Sequence, residues 1–454
     1  MRNRSPALPS AVRPISDADV AALFAPHADL IAEGFVLAVS GGSDSMGLLH
    51  FAARWQAQVA QDGAARPRLH VATVDHGLRP GAAADAAFVC AAAAAHGLPC
   101  TSVCWNGPKP ATGLSEAARE ARYGLLAQVM REVGVRTLMT AHTADDQAET
   151  LLMRLARGSG VDGLAGMAAV RPLAGLEGAR LVRPLLGLEK ARIAADLAAR
   201  GISWREDPTN ADTGYERPRL RAARDALAAI GLTPAHLAVS ARRLRRASEA
   251  LEATARAAFV APVVRVDPCG LVRIDLAALL SHPAEIGLRL LRRALEIAGG
   301  AAAPISLASL EELWADLELG KAAAWTLANA ALHVADGELV VEREPGRIPL
   351  PCMALVPGAR FVWDGRFAIE VDTCPPGLEL GPLGAEGLAA LKVRGIRRPP
   401  LPARTLRAVP AVWGAGALVA VPLLGVEPVP PLQLEIRTVL RHQARPAAQP
   451  EARS

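Results

Sequence analysis

Three short polar clusters carry the residue types that chemistry needs, and each follows an apolar run. The first is Ser40-Gly41-Gly42-Ser43-Asp44-Ser45, which cuts off the apolar stretch 35–39 and leads at once into a helical pattern in Met46, Leu48, Leu49 and Ala52. A strand, a glycine turn and a helix start in that order form an anion cradle. Gly41 and Gly42 are free to take positive φ and let a ligand approach the backbone, while amides, serine hydroxyls and the positive helix end face it. The three hydroxyl-bearing residues with Asp44 favour nucleotide binding, while the absence of the Gly-Lys-Ser/Thr ending of a Walker A loop weakens a kinase or GTPase reading.

The second cluster is Asp75-His76-Gly77-Leu78-Arg79. An Asp at a strand end can meet a ribose hydroxyl or position a base, and Gly77 lets the chain turn; a capped loop would look the same. The third is Thr140-Ala141-His142-Thr143-Ala144-Asp145-Asp146-Gln147-Ala148-Glu149-Thr150. His142 and Asp146 stand four apart and Glu149 three further on, hence on one face of a helix starting here; two ligands without a third do not make a metal site. Between the second and third clusters, Arg119 and Arg122 fall on one face of an amphipathic segment, as solvated arginines commonly do.

The elements that must position these clusters alternate. Strand-like runs at 35–39, 69–74, 102–105 and 137–140 are separated by helical patterns at 82–96 and 114–133. Such alternation predicts an α/β fold with a parallel sheet covered on both faces, and ligands of such sheets bind outside the strands' carboxyl ends. All three clusters sit there. Ser16 and Asp19 predict a capping box for a first helix. Residues 222–332 read as helical and rich in Ala, Leu and Arg, and 346–442 as short strands with Pro/Gly punctuation. The expected domains are 17–221 (catalytic), 222–340 (helical) and 346–443 (small, β-rich).

At 454 residues with 51% hydrophobic and 21% charged residues, the chain is a globular protein of two to three domains. Its charge of +5 permits an anionic partner. Positive charge is nearly all Arg, the lysines being only Lys109, Lys190, Lys321 and Lys392; codon bias explains the imbalance, and Arg suits phosphate. Six cysteines, at 90, 100, 104, 269, 352 and 374, form no C-x-x-C pair, so free thiols in a reducing cytoplasm are expected. The basic N-terminus holds Pro6, Pro9 and Pro14, against an amphipathic transit helix, and is expected to be a disordered tail, as is the chain after Arg441. The uncharged run 408–426 is punctuated by Pro410, Gly414, Gly416 and Pro422 and reads as two strands around a turn, not as a membrane span.

The 40–45 loop resembles the S-G-G-x-D-S pyrophosphate loop of the ATP-pyrophosphatase (PP-loop) superfamily, whose members cleave ATP between the α- and β-phosphates. Further segments resemble the tRNA(Ile)-lysidine synthase family: V-D-H-G-L-R ending at Arg79, E-A-A-R-E-A-R-Y ending at Tyr123, the third cluster, R-G-S-G from Arg157 with G-L-A-G-M to Met167, R-P-L-L from Arg183, W-R-E-D-P-T-N from Trp204 and Y-E-R-P-R-L-R from Tyr215. The likeness is specific over about 35–221. Two positions depart from it: Thr143 stands where the family has a second His, and Pro218 where it has Asn.

The resemblance implies a Rossmann-like sheet and an enzyme that joins free L-lysine to the wobble cytidine of tRNA(Ile) with a CAU anticodon. ATP would be held by Ser40, Gly41, Gly42, Ser43, Asp44, Ser45 and Asp75, with Asp44 orienting Mg²⁺. Asp44, Arg122, His142 and Asp146 would carry catalysis, and Arg157, Arg217 and Arg221 would contact substrate. The glycine-rich 157–167 segment would be a mobile lid. Arg242, Arg245 and Arg246, and likewise Arg289, Arg292 and Arg293, cluster on helix faces and could meet nucleic acid or solvent. No membrane partner is implied, and the oligomeric state is open, a homodimer included. A tRNA thiolase of the same superfamily would carry paired cysteines, which are missing here. A non-catalytic ATP-sensing tRNA binder differs in that AMP release would not depend on lysine.

Overall fold

The computed structural model describes residues 13–439 apart from 64, 78–80, 111, 207–215, 261, 301–304, 322–323, 345, 347 and 429. Both expected tails, Leu78 and Arg79, residues 207–210 and Tyr215 therefore lie outside the described residues. The chain divides into two compact units, 1–248 and 249–454.

The first unit is an α/β domain. In chain order it contains α1 (Asp17–Phe24), α2 (Ala28–Ile31), β1 (Phe35–Ala38), α3 (Ser43–Gln61), β2 (Leu69–Asp75), α4 (Ala82–Ala95), β3 (Cys100–Cys104), α5 (Leu114–Val133) and β4 (Thr137–Met139). Then come α6 (Ala144–Ala156), α7 (Val161–Leu164), β5 (Val170–Pro172), β6 (Arg180–Val182), α8 (Lys190–Ala199), α9 (Glu216–Ala222), α10 (Arg224–Ala229) and α11 (Pro234–Ala258), within which the division at 248 falls. The capping box of Ser16 and Asp19 starts α1 as expected.

The sheet runs β3-β2-β1-β4-β6-β5, parallel except for edge strand β5. Every residue of β1 is buried, as a strand covered on both faces must be. Phe35 and Leu37 join the core formed with α1, α3, α4 and α8, whereas Val36 and Ala38 join the core under α5. The strand order reverses at β1, which lies between β2 and β4, and that switch point opens a crevice above the sheet.

The second unit begins with β7 (Val264–Val266), β8 (Val272–Asp275), α12 (Leu276–Ser281), α13 (Ala284–Gly299), α14 (Leu307–Glu318), β9 (Ala324–Leu327), β10 (Ala330–Ala335) and β11 (Glu338–Arg343). It continues with β12 (Met353–Ala354), β13 (Arg360–Trp363), β14 (Phe367–Thr373), β15 (Leu378–Pro382), α15 (Gly384–Val393), α16 (Ala403–Arg407), β16 (Pro410–Gly414), β17 (Ala417–Ala420) and β18 (Gln433–Thr438). The uncharged run does form two strands, β16 and β17, and no described helix is long and apolar enough to cross a membrane.

Three expectations change here. The stretch read as helical also holds the antiparallel sheet β7-β8-β11-β10-β9; β9 and β10 contain Ala and carry little intrinsic β signal, β7 and β8 are only three and four residues long, and pairing on the core decides their state. The cysteines are not all free: Cys90 on α4 and Cys100 on β3 are joined, because the short connection folds the helix end back beside the strand start, while Cys104, Cys269, Cys352 and Cys374 are free thiols. Arg289 is buried and paired with Glu285 and Glu252, so this member of the cluster is built into the fold.

Asp364 pins the second unit from a tight turn. Its carboxylate accepts from Arg343 Nε and Nη2 at 2.9 and 3.0 Å and from Arg366 Nε at 2.6 Å, and both guanidiniums are 1% exposed. Burial pushes Arg366 down to about 10 against the pull of Asp364. Removing one partner of a buried ion group leaves charge uncompensated and costs about 3–5 kcal/mol, whereas an exposed pair is worth about 1 kcal/mol or less. D364N keeps the turn but loses the charge. Its urea transition, followed by tryptophan fluorescence, should move by about 3 kcal/mol, and that of E435Q at the exposed Arg437 pair should barely move. Equal shifts would remove Asp364 from this role.

Candidate functional site

The crevice takes its shape from the chain between β1 and α3. Gly41 has φ +89°, a left-handed value that only glycine adopts without strain. Gly42, expected to share that freedom, is instead extended at φ −71° and ψ 162° and starts α3 as its N-cap. A Cβ on Gly42 would meet nothing nearer than Ser40 Oγ at 4.0 Å, so the space over it is open. Ser45 braces the turn from inside: its hydroxyl donates to the Gly42 carbonyl at 2.9 Å and accepts the Ser40 amide at 3.2 Å. The first amides of α3 have no partner within the helix and carry the positive helix end.

On the β2 side lies a cavity of about 250 Å³ lined by Ser40, Asp75, His76, Asp85 and Arg122 among others. One Asp75 oxygen accepts the Gly77 amide at 2.7 Å, which fixes the carboxylate beside the strand end. Arg122 has no carboxylate partner among the described residues. Its desolvation, with Arg119 adding, lowers its pKa from the usual arginine range. A cation held unpaired over a cavity is suited to an anion.

On the β4 side is a second cavity, about 270 Å³, with Asp44, Asp145, Asp146 and Glu149 facing Lys190, Arg221 and Arg224, and with Leu152, Leu227 and Leu237 as an apolar wall. Thr143 caps α6 in a reciprocal box: Asp146 Oδ2 accepts the Thr143 amide at 2.8 Å and its hydroxyl at 3.0 Å. Asp145 accepts the Lys190 amide at 2.8 Å and pairs with Arg224 at 3.0 Å. Glu149 takes Arg221 on both oxygens, 2.6 and 3.3 Å, and this bond pushes the Arg221 pKa up. Burial raises the Asp44 pKa against the pull of Lys190, whose ammonium sits 3.1 Å away, and Asp146 and Asp145 add to the rise.

Ser40, Asp75 and Arg122 are thus brought to one cavity and Asp44, Asp146 and Arg221 to its neighbour, both at the carboxyl ends of the strands. His142 hydrogen-bonds Thr140 Oγ1 at 2.9 Å, in the fields of Asp146, Arg183, Arg122 and Arg217. Arg217 approaches Glu149 at 3.9 Å. Arg157 is not among the residues lining either cavity; largely exposed, it pairs with Glu216. The glycine-rich segment, expected to be a mobile lid, is clasped here. Gln147 bonds both the amide and the carbonyl of Met167, and Arg154 and Arg245 donate to the Gly166 carbonyl. Lys190 and Arg224 escaped the sequence reading; the rarity of lysine was the available signal for Lys190.

A PP-loop domain model matches residues 14–224. The tRNA(Ile)-lysidine synthase of Methylobacterium nodulans is 47% identical over 70% of this chain and 92% of its own length, and that of Bradyrhizobium sp. is 46% identical over 66% and 83%. The tRNA(Ile)-lysidine synthase of Ruegeria pomeroyi is 37% identical over 86% and 88%. The chain belongs to the tRNA(Ile)-lysidine synthase family. Among solved structures, a U34-tRNA thiolase from Methanococcus maripaludis with its [4Fe-4S] cluster matches at 16% identity and a TM-score of 0.41 over 52% of this chain and 78% of that one, a likeness that carries no argument about activity. As a PP-loop domain, the first unit of this lysidine synthase family member is an ATP-binding fold.

Burial pushes His142 down to about 4, with Arg183, Arg122 and Arg217 adding and Asp146 opposing; burial likewise pushes His50 down to about 4. Both are neutral at pH 7. Because their folded values lie below the free value of 6.5, the stability they contribute is fully present above pH 6.5 and is lost as pH falls toward 4. The thermal midpoint should therefore drop between pH 7 and pH 5, and a H50N/H142N double variant should show a smaller drop. A midpoint that rises over that interval contradicts the buried neutral state.

Proposed function

We propose that the chain ligates free L-lysine to carbon two of the wobble cytidine of tRNA(Ile) with a CAU anticodon, in the cytoplasm, converting ATP to AMP and pyrophosphate. The cytidine's carbonyl oxygen attacks the α-phosphorus and pyrophosphate leaves. The ε-amine of lysine, after losing a proton, adds to carbon two, and AMP departs with the former carbonyl oxygen. The observation that carries the reading is the pair of adjacent cavities sharing the 40–45 loop, one suited to a nucleotide and one lined by opposite charges around an apolar wall.

In-line displacement at phosphorus needs alignment and charge stabilisation more than covalent help. The amides at the start of α3 would hold the pyrophosphate, and Arg122 would face the charge that develops near Ser40 and Asp75. Magnesium usually binds through one or two carboxylates, substrate phosphates and water. A single carboxylate beside the cradle, Asp44, fits that habit and would help hold the ion, whose charge offsets that of the phosphates. In the acidic cavity, carboxylates would take the lysine ammonium, Arg221 and Arg224 its carboxylate, and Leu152, Leu227 and Leu237 its methylenes. Asp146, with neutral His142 alongside, is the group to receive the amine's proton.

The anticodon base must leave its stack to enter, at modest cost in a loop. For gripping the tRNA, the expected helical and β-rich domains, 222–340 and 346–443, supply cations. Residues 387–426 hold six Lys and Arg and no Asp or Glu, and Lys392, Arg397, Arg398 and Arg407 are exposed. Arg242 and Arg246 are also exposed, whereas Arg245 is committed to the Gly166 carbonyl. Arg157 and Arg217 remain candidates for phosphate contact, and a homodimer is compatible with all of this.

The test is AMP release requiring both lysine and tRNA, with lysidine identified by nucleoside mass spectrometry. R122A and D146N should lower lysine incorporation by about 10²–10³-fold, the size of losing a positioned electrostatic group, with folding retained. AMP release independent of lysine would favour an ATP-sensing tRNA binder, and full activity in either variant would refute its assigned role.

A further inference from the structure

We propose that Lys190 is a pyrophosphate-positioning residue, supplying from the start of α8 the full positive charge that the 40–45 loop lacks. The inference rests on the ATP-cleaving reading above. Amide dipoles and a helix end provide partial charges, and the loop itself contains no lysine or arginine; a diphosphate leaving group concentrates several negative charges in one place. Lys190 reaches this loop from 146 positions away, its Nζ lying 3.1 Å from Asp44 Oδ2.

Its backbone and its side chain are held very differently. The Lys190 amide donates to Asp145, and the Ala144 amide donates to the Leu188 carbonyl at 3.0 Å, so the starts of α6 and α8 are locked together. The side chain is 49% exposed and, among the described residues, is tethered only to Asp44, which is itself 22% exposed. A flexible four-carbon stem on a fixed backbone can carry its ammonium from a carboxylate to a nearby phosphate. The composition agrees: only four of the chain's 50 Lys and Arg are lysines, yet two of the four flank the crevice. Lys190 is on Asp44, and Lys109 donates to the Gly77 carbonyl at 2.7 Å. In a chain that otherwise uses Arg, a compact, rotatable ammonium at these places separates phosphate handling from a mere surface ion pair. A half-exposed ion pair alone would add little to stability and do nothing else.

The test is calorimetry on the full chain with inorganic pyrophosphate and, separately, AMP, which lacks the β- and γ-phosphates. K190M should weaken pyrophosphate binding by about tenfold or more, leave AMP binding within about twofold and leave the thermal midpoint in place. K190R should recover most of the pyrophosphate affinity. In a D44N background the K190M loss should persist, because the contact is to the ligand and does not pass through Asp44. Unchanged pyrophosphate binding in K190M, an equal loss for AMP, or a loss that vanishes in D44N each overturns the proposal. If the unsubstituted chain binds neither ligand, the nucleotide reading itself falls and takes this inference with it.

Discussion

The constraint on which the rest depends is the reversal of strand order at β1. Because β1 lies between β2 and β4, the chain leaving β1 and the chain leaving β4 rise on either side of one crevice, and α3 and α6 begin there. The start of α8 is tied to that of α6 through Asp145 and the Leu188 carbonyl. Three helix starts thus gather in one place, and each contributes partial positive charge. Asp44, Asp145 and Asp146 occupy the first turns of α3 and α6 and offset that charge when no anion is present. An anionic ligand must therefore enter a site whose carboxylates are already partnered: Asp44 by Lys190, Asp145 by Arg224, and Asp146 by the Thr143 cap. The same carboxylates line the neighbouring cavity, where on the proposed reading they would meet a cationic ligand.

Much of this was legible before any coordinates. The strands at 35–39, 69–74 and 137–140 and the helices at 82–96 and 114–133 come out within a few residues of expectation, because a fully apolar run broken by Gly or Asp has few other readings. The three polar clusters converge for the same reason, since parallel strands put all their carboxyl ends on one edge. Partnerships across long separations were not legible. Nothing local marks Lys190 as the neighbour of Asp44, or Arg289 as a buried ion-pair residue. The second unit shows the opposite error. Asp336-Gly337, at φ 51° and 77°, joins β10 to β11 by the residue pair that most strongly signals a two-residue hairpin, yet the Ala-rich composition around it reads as helix. Asp364-Gly365 and Ala415-Gly416 are turns of the same kind, and the strands around them were recognised because their neighbours are Val, Phe and Trp.

The two departures from the family pattern have local physical explanations. Thr143 takes the N-cap of α6, where a hydroxyl that accepts the third amide is among the preferred groups, and its capping box holds Asp146 at the lip of the cavity. An imidazole at that position is thereby exchanged for a stronger start to the helix bearing Asp145, Asp146 and Glu149. Pro218 is the third residue of α9, within the first turn, where a missing amide proton removes no intrahelical bond. With φ fixed there, Arg217 and Arg221 follow one turn apart on one face, which is why both reach Glu149.

That shared carboxylate bears on selectivity. Glu149 is buried at 8% exposure and bound on both oxygens by Arg221, with Arg217 closing at 3.9 Å. A buried carboxylate facing two guanidiniums carries surplus positive charge, so Arg221 can bind Glu149 and still present a cationic edge to the cavity it lines. Asp44, within the 40–45 loop, and Asp146 line the same cavity, with Lys190 beside Asp44. On the proposed reading, a molecule with an ammonium at one end, a carboxylate at the other and methylenes between would be favoured with its ammonium toward Asp44 and Asp146 and its carboxylate toward Arg221 and Arg224. The reversed orientation would set carboxylate against carboxylate in a partly desolvated space, where like charges repel strongly. Electrostatics would thus set the orientation before any shape matching and would aim the amine toward the place where phosphate chemistry would occur.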